Sequence, residues 1–135
     1  MFVSTRGRYA LRVIIDIAEN SDDNYIPLKD VVVRQGISQK YLESIMTDLS
    51  KAGLLDALHG KGGGYKLSKK PEEIKVIDIL NITELDLAPI SCLNSNAEPC
   101  DKAFECRTLP MWKGLNDLIS NYFNGISIRD LMKIE

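Results

Sequence analysis

The run His59-Gly60-Lys61-Gly62-Gly63-Gly64 puts four glycines in five positions between two strand-like stretches, Leu54 to Leu58 and Tyr65 to Leu67. Glycine reaches backbone conformations that other residues avoid, so the run predicts a tight hairpin with an exposed tip. Lys61 and His59 are the only side chains at the tip, one cationic and the other able to become so.

Upstream, residues 5–20 place Ala10, Val13, Ile14, Ile17 and Ala18 at i, i+3, i+4, i+7 and i+8, the pattern of an amphipathic helix. The polar run at 20–24 ends it. Pro27 marks the start of a short second helix carrying Leu28, Val31 and Val32, and Gln35-Gly36-Ile37 is a tight break. Ser38 is a suitable N-cap for a third helix, with Leu42, Ile45, Met46 and Leu49 on its buried face and Gly53 as its stop. Two short helices across a Gly-containing turn suggest a helix-turn-helix, with a plain helical hairpin as the alternative. The basic, Gly-rich hairpin directly after them favours a winged helix, a mostly α fold with a small β-hairpin wing. In that layout the third helix enters the major groove and the tip reaches a phosphate backbone or the minor groove. A nucleotide-phosphate loop is disfavoured, because Gly60-Lys61-Gly62 lacks the required spacing and no helix opens after it.

Length and charge are compatible with this reading. The 135 residues suffice for one domain, or one domain plus an extension, and 44% hydrophobic with 27% charged residues is ordinary for a globular chain. Residues 1–70 hold 11 Lys/Arg against 8 Asp/Glu, whereas residues 71–135 hold 6 against 11. A mildly basic front half permits nucleic acid without demanding it. The apolar run Val13-Ile14-Ile15 is broken by Asp16, so neither a signal peptide nor a membrane span is expected and the cytosol is the expected compartment.

The exposed first turn of the third helix carries Ser38, Gln39 and Lys40, followed by Tyr41 and Glu43. Gln39 suits an adenine edge, Glu43 could accept from a cytosine amino group, and Lys40 suits a phosphate. Tyr41 is equally suited to core packing, and Glu43 to pairing with a neighbouring lysine. Arg6, Arg8 and Arg12 on the first helix could steady the DNA backbone. Ser38, Gln39, Lys40, Tyr41 and Glu43, with His59 and Lys61 at the tip, form the expected DNA-reading set.

Behind the wing, Pro71-Glu72-Glu73 precedes an apolar segment from Ile74 to Leu80, expected to be a short helix. Thr108 is the expected cap, and Pro110 the opening, of a long helix. On it Trp112, Leu115, Leu118, Ile119, Tyr122 and Phe123 recur at helical spacing. So many large apolar groups suit packing against a second copy, with packing on the chain's own domain as the alternative. Gly125 is the expected stop, and Ser127-x-x-Asp130 a capping box for a final turn.

Between these helices lie the only cysteines, Cys92, Cys100 and Cys106, with seven and five residues between them. Structural zinc favours pairs two to four residues apart with a fourth Cys or a His nearby, so zinc is disfavoured. Three soft thiolates suit an iron–sulfur cluster, and a reversible disulfide stays open as the redox alternative. No nucleophile and orienting partner stand beside His59, so catalysis is not expected.

The strings S-T-R-G-R-Y-A-L-R at 4–12, I-S-Q-K-Y-L-E at 37–43, A-G-L-L at 52–55 and H-G-K-G-G-G-Y-K-L at 59–67 resemble one family along nearly the whole chain. It is the winged-helix regulators typified by the iron–sulfur cluster regulator (IscR), with the nitrite-sensitive repressors (NsrR) and the cysteine-metabolism repressor (CymR). The resemblance implies a homodimer on partly palindromic double-stranded operator DNA, with 38–43 reading the groove and 59–61 at the wing tip. It implies Cys92, Cys100 and Cys106 as cluster ligands, in a 2Fe–2S cluster or alternatively a 4Fe–4S one. The family's fourth ligand does not carry over: Leu109 and Arg8 stand at the two positions that supply it. That leaves Glu98, Asp101, Glu105, a partner-subunit group, or an exogenous thiol or water. Family members commonly carry Arg at the position of His59, so a weaker or pH-sensitive wing contact is expected.

The implied organisation is a DNA-binding domain over 1–70, a linker helix and cysteine loop over 71–107, and a dimerisation helix with a C-terminal turn over 108–135. Two other functions fit the same residues. One is a cluster-free repressor controlled by thiol oxidation or a regulatory protein partner. The other is an iron–sulfur carrier that has lost DNA binding.

Overall fold

A computed structural model describes residues 3–94, 98, 102 and 104–133. Helix α1 spans Thr5–Asn20, α2 Leu28–Gln35 and α3 Gln39–Lys51. Strands β1 (Leu55–Leu58) and β2 (Gly64–Leu67) form the hairpin, followed by α4 (Val76–Thr83), α5 (Leu109–Asn124) and a terminal turn α6 (Ile128–Leu131). Short 3₁₀ turns at Pro71–Glu73 and Ser91–Leu93 punctuate the linker. No described helix is long and apolar enough to cross a membrane.

The helix ends follow local chemistry. The Ser4 hydroxyl accepts from the Gly7 amide at 3.0 Å and caps α1. Gly36 closes α2 at φ +65°, a left-handed conformation that glycine adopts without a Cβ penalty. Ser38 caps α3, accepting from the Tyr41 amide at 3.3 Å.

The apolar stripes of α1, α2 and α3 converge on one core. Val13, Ile14, Ile17, Val31, Leu42 and Met46 are wholly buried there, each worth about 1.5–3 kcal/mol relative to exposure. The hairpin pairs Leu55 with Leu67 and Leu58 with Gly64, antiparallel. It is fastened to the entry of α2 by a two-way backbone pair between Ile26 and Tyr65, at 2.8 and 2.9 Å. A Cβ on Gly64 would lie 2.1 Å from the Ile26 carbonyl, so this close approach requires glycine.

Helix α4 starts at Val76, two residues after the apolar segment does. Ile74 and Val76 instead exchange backbone hydrogen bonds with Ile128 and Ile126, at 2.9 Å each. Ile128 is fully buried in the main core, so the C-terminal turn packs with the front helices. Its capping box forms as spaced: the Ser127 amide donates to Asp130 Oδ2 at 2.9 Å, and the Asp130 amide donates to Ser127 Oγ at 3.2 Å.

Thr108 departs from expectation. It precedes α5 but is already in helical conformation (φ −96°, ψ −11°), and its hydroxyl caps no amide. That hydroxyl is turned back to Cys106 instead.

Candidate nucleic-acid interface and cysteine segment

The first turn of α3 is open. Ser38, Gln39, Lys40 and Glu43 are all exposed, as expected of a groove-reading segment. The Gln39 side-chain amide donates to Glu43 Oε1 at 3.2 Å, so in the free protein these two polar groups hold each other rather than Glu43 pairing with a lysine. Thr47, one turn on, donates its hydroxyl to the Glu43 carbonyl at 2.8 Å.

Tyr41 is different. It is half-buried, packed edge-on against Tyr9 with ring centroids 5.8 Å apart. The Arg6 guanidinium lies 5.9 Å from its ring centre. Its ring braces α3 on α1, leaving the flank of the aromatic to face outward.

The arginines of α1 also have internal partners. Arg6 donates to the Ser44 carbonyl and hydroxyl, each at 3.1 Å, and pairs with Asp48. Arg12 donates to the Gln35 carbonyl at 2.7 Å and lies over the Tyr9 ring. Both tie α1 to its neighbours, which the spacing of the sequence did not reveal. Arg8 bonds the Thr5 hydroxyl on its own helix.

His59 and Lys61 stand exposed on the wing tip. Gly60 and Gly62 take φ +92° and +77°, the left-handed values that make so short a tip possible. An open cleft of about 540 Å³ lies between the wing and α3, lined by Lys29, Glu43, Thr47, Leu58 and His59 among others. The expected base reader Glu43 and the expected wing contact His59 therefore border one cleft. Lys29, at the start of α2, was not singled out from the sequence. Its position in the cleft depends on the Ile26–Tyr65 pairing, which no local pattern announces.

Of the three cysteines, Cys92 is exposed in its 3₁₀ turn and Cys106 is partly buried just before α5; both are free thiols. Cys100 and the candidate ligand Asp101 lie outside the described residues. Glu98 and Glu105 are exposed. Cys106 Sγ sits 3.6 Å from Thr108 Oγ1. That hydroxyl, with the backbone amides of Thr108 and Leu109, holds the thiol below the ordinary cysteine range by stabilising the thiolate. Among the described residues no three His, Cys, Asp or Glu side chains are gathered as a metal site. The donor chemistry nevertheless fits a thiolate-bound cluster, since thiolate is the form that ligates soft metals.

A pH dependence follows. The Cys106 pKa is lowered, so its thiolate persists to lower pH than that of an ordinary cysteine. Alkylation of Cys106 in metal-free protein, followed by peptide mass spectrometry, is expected to show a midpoint below the ordinary range. Thr108→Val should move that midpoint up; identical profiles would show that the hydroxyl contact has no effect on the thiol.

The sequence and the fold were compared with known proteins. A family model described as Rrf2, iron-dependent transcriptional regulator, matches residues 3–134. The HTH-type transcriptional regulator IscR of Aliivibrio salmonicida is 36% identical over 132 residues, covering 98% of this chain and 77% of that protein. The IscR of Vibrio campbellii is 34% identical over 133 residues, covering 98% and 78%. Among solved structures, CymR (YrzC), the global cysteine regulator of B. subtilis, aligns with TM-score 0.77 at 27% identity, over 97% of this chain and 95% of that one. T. potens IscR aligns with TM-score 0.73 at 29% identity, over 97% and 85%.

Proposed function

Since the chain belongs to the Rrf2 family of iron-dependent transcriptional regulators, we propose that it senses iron–sulfur, redox or nitrosative status through a cluster on Cys92, Cys100 and Cys106. It is a DNA-binding transcription regulator and not an enzyme. The reading takes residues 1–70 as the DNA-binding head, 71–107 as linker and cysteine loop, and 108–135 as the dimerising part. Ser38, Gln39, Lys40 and Glu43 would contact base edges and phosphates, with Tyr41 held beside them by Tyr9. His59 and Lys61 would contact the backbone or minor groove at the wing.

One observation carries the sensor reading best: the stabilised Cys106 thiol stands at the entry of α5, three residues before that helix begins. Whatever ligates Cys106 acts on the start of the helix that would join two subunits. A bound cluster would supply redox- and oxidant-sensitive metal–thiolate chemistry. The protein's own residues do the rest. The Thr108 hydroxyl lowers the Cys106 pKa and so favours its thiolate, exposed Cys92 offers a second thiol, and Cys100 would supply the third. A 2Fe–2S cluster is the preferred form, with the fourth ligand drawn from a local carboxylate such as Glu98 or Glu105, the partner subunit, or solvent.

Cys106→Ala is the direct test. Anaerobic protein reconstituted with iron and sulfide is expected to show visible absorption that the variant lacks. Operator affinity should change on reconstitution in wild type by about 5-fold or more and stay fixed in Cys106→Ala. Equal responses in both proteins would overturn the sensor reading.

A second reading rests on the likeness to CymR. A metal-free repressor answering to thiol oxidation or a protein partner would show no iron after anaerobic reconstitution, yet bind operator DNA with a steep salt dependence.

A further inference from the structure

Glu84 closes α4, its amide donating to the Leu80 carbonyl at 2.8 Å, and the chain beyond it runs to the cysteines. Its side chain does not face solvent freely. Glu84 Oε1 accepts two hydrogen bonds from Ser4, one from the backbone amide at 2.9 Å and one from the hydroxyl at 2.8 Å. Ser4 is the N-cap of α1, so the carboxylate rests against the positive end of that helix, where a negative charge is favoured. The seat is closely fitted. A Cβ on Gly7 would lie 2.3 Å from Glu84 Oε1 and 3.1 Å from Thr83 Oγ1. Only glycine at position 7 lets the carboxylate sit there.

The same turn of α1 also holds the reading helix. Arg6, between Ser4 and Gly7, bonds the Ser44 carbonyl and hydroxyl and pairs with Asp48, all on α3. One helical turn therefore grips the last residue before the cysteine segment on one side and the middle of α3 on the other. These contacts link residues 80 and 38 positions apart. A pull on the chain after residue 84 reaches α3 through two polar contacts and one rigid turn.

We propose that the Glu84–Ser4 clasp is the positioning contact through which the state of the cysteine segment adjusts α3 and so tunes operator affinity. The proposal rests on the sensor reading above. Ligation of Cys92, Cys100 and Cys106 would bear on the chain that leaves Glu84, and so on the clasp. Seated, the carboxylate fixes the first turn of α1 and, through Arg6, the register of Ser44 and Asp48 against the core. Unseated, α3 loses that reference. An intermediate position in space does not establish coupling; a change in the coupling free energy does.

Two variants open the clasp by different means. Glu84→Ala removes the carboxylate. Gly7→Ala keeps it but fills its seat with a methyl, at a site where alanine favours the helix, so this variant is expected to fold. The probe is a fluorescent duplex selected from random-sequence DNA by the wild-type protein. Its affinity is read by anisotropy at fixed salt, for metal-free and reconstituted protein, alongside iron counts and visible spectra.

Wild type should show a ratio between the two states of about 5-fold or more. Both variants should bind iron like wild type while their ratio collapses to within about twofold of unity. Variants that keep the wild-type ratio overturn the clasp, including the case where affinity falls equally in both states, since that marks a purely structural contact. A wild-type ratio of one overturns the sensor reading itself, and the clasp with it.

Discussion

Leu118→Asp is expected to convert the protein to a monomer at micromolar concentration and to cut operator affinity about a hundredfold or more. Helix α5 spans sixteen residues, and none of its described side chains is buried. Met111, Leu115, Leu118 and Tyr122 are exposed at spacings of four, three and four, which draws one stripe along the helix. Leu118 and Tyr122 are 68% and 67% exposed, far more than large apolar groups on a helix normally are, and they line an open apolar groove of about 590 Å³. A second copy of α5 is the occupant we propose for that stripe, because two-fold operators are read by two-fold proteins. Burying one leucine is worth about 1.5–3 kcal/mol, and in a two-fold interface each substitution counts twice. The loss of roughly 3–6 kcal/mol corresponds to roughly two to four decades in the dimer constant. Sedimentation velocity reads the association and a full-site against half-site gel shift reads the DNA consequence. Because Leu118 supports nothing in the main core, the thermal midpoint of the head should hold. A variant that stays dimeric at wild-type concentrations would rule out this stripe as the interface.

The regular elements were legible because their signals are local. Ser38 caps α3 and Ser127 with Asp130 caps α6 within four residues of sequence, and the four core positions of α3 follow from helical spacing. The glycine hairpin was equally plain, since its conformation depends on the glycines themselves. Thr108 failed for a local reason: a threonine before Pro110 looks like a cap, but its hydroxyl had the Cys106 thiol as a competing partner.

What stayed hidden is every contact between distant residues. Asp16 reads in the sequence as a polar break in an apolar run, yet it is 4% exposed and bonded to α2. Arg6 and Arg12 read as charges that could steady a DNA backbone, and their bracing of α3 and α2 carries no local signal. Glu84 carries no pattern at all. Each of these pairings depends on how α1, α2, α3 and α4 cross, which hydrophobic periodicity does not specify. The exposed polar residues on the first turn of α3 were easier, because they follow once its buried face is known. The cysteine segment was legible as chemistry only. Spacing and residue type suggest Cys92, Cys100 and Cys106 as thiolate donors, but no local pattern states how they would be brought together.

Asp16→Ala is expected to destabilise the head by about 2–3 kcal/mol and lower its thermal midpoint by roughly 10 °C. The buried carboxylate accepts from Arg34 at three short contacts, with Nη2–Oδ1 at 2.7 Å, and from the Gln35 side-chain amide at 2.8 Å. It thereby locks α1 to the last turn of α2, directly before the Gly36 break that sets the angle of α3. Removing one member of a buried ion pair costs roughly 3–5 kcal/mol when the survivor stays sealed from water. Arg34 keeps 36% of its side-chain exposure, so it can rehydrate and the cost falls below that range. The lost charge-assisted bonds and the unpaired Gln35 amide set the floor. Urea unfolding of the wild type, Asp16→Ala, Arg34→Met and the double variant separates the terms. Arg34→Met leaves the carboxylate buried and uncompensated, so it should cost at least as much as Asp16→Ala, and the double variant should recover part of the loss. Additive single effects, or a cost below about 1 kcal/mol for Asp16→Ala, would mean that core packing alone sets the α1–α2 angle.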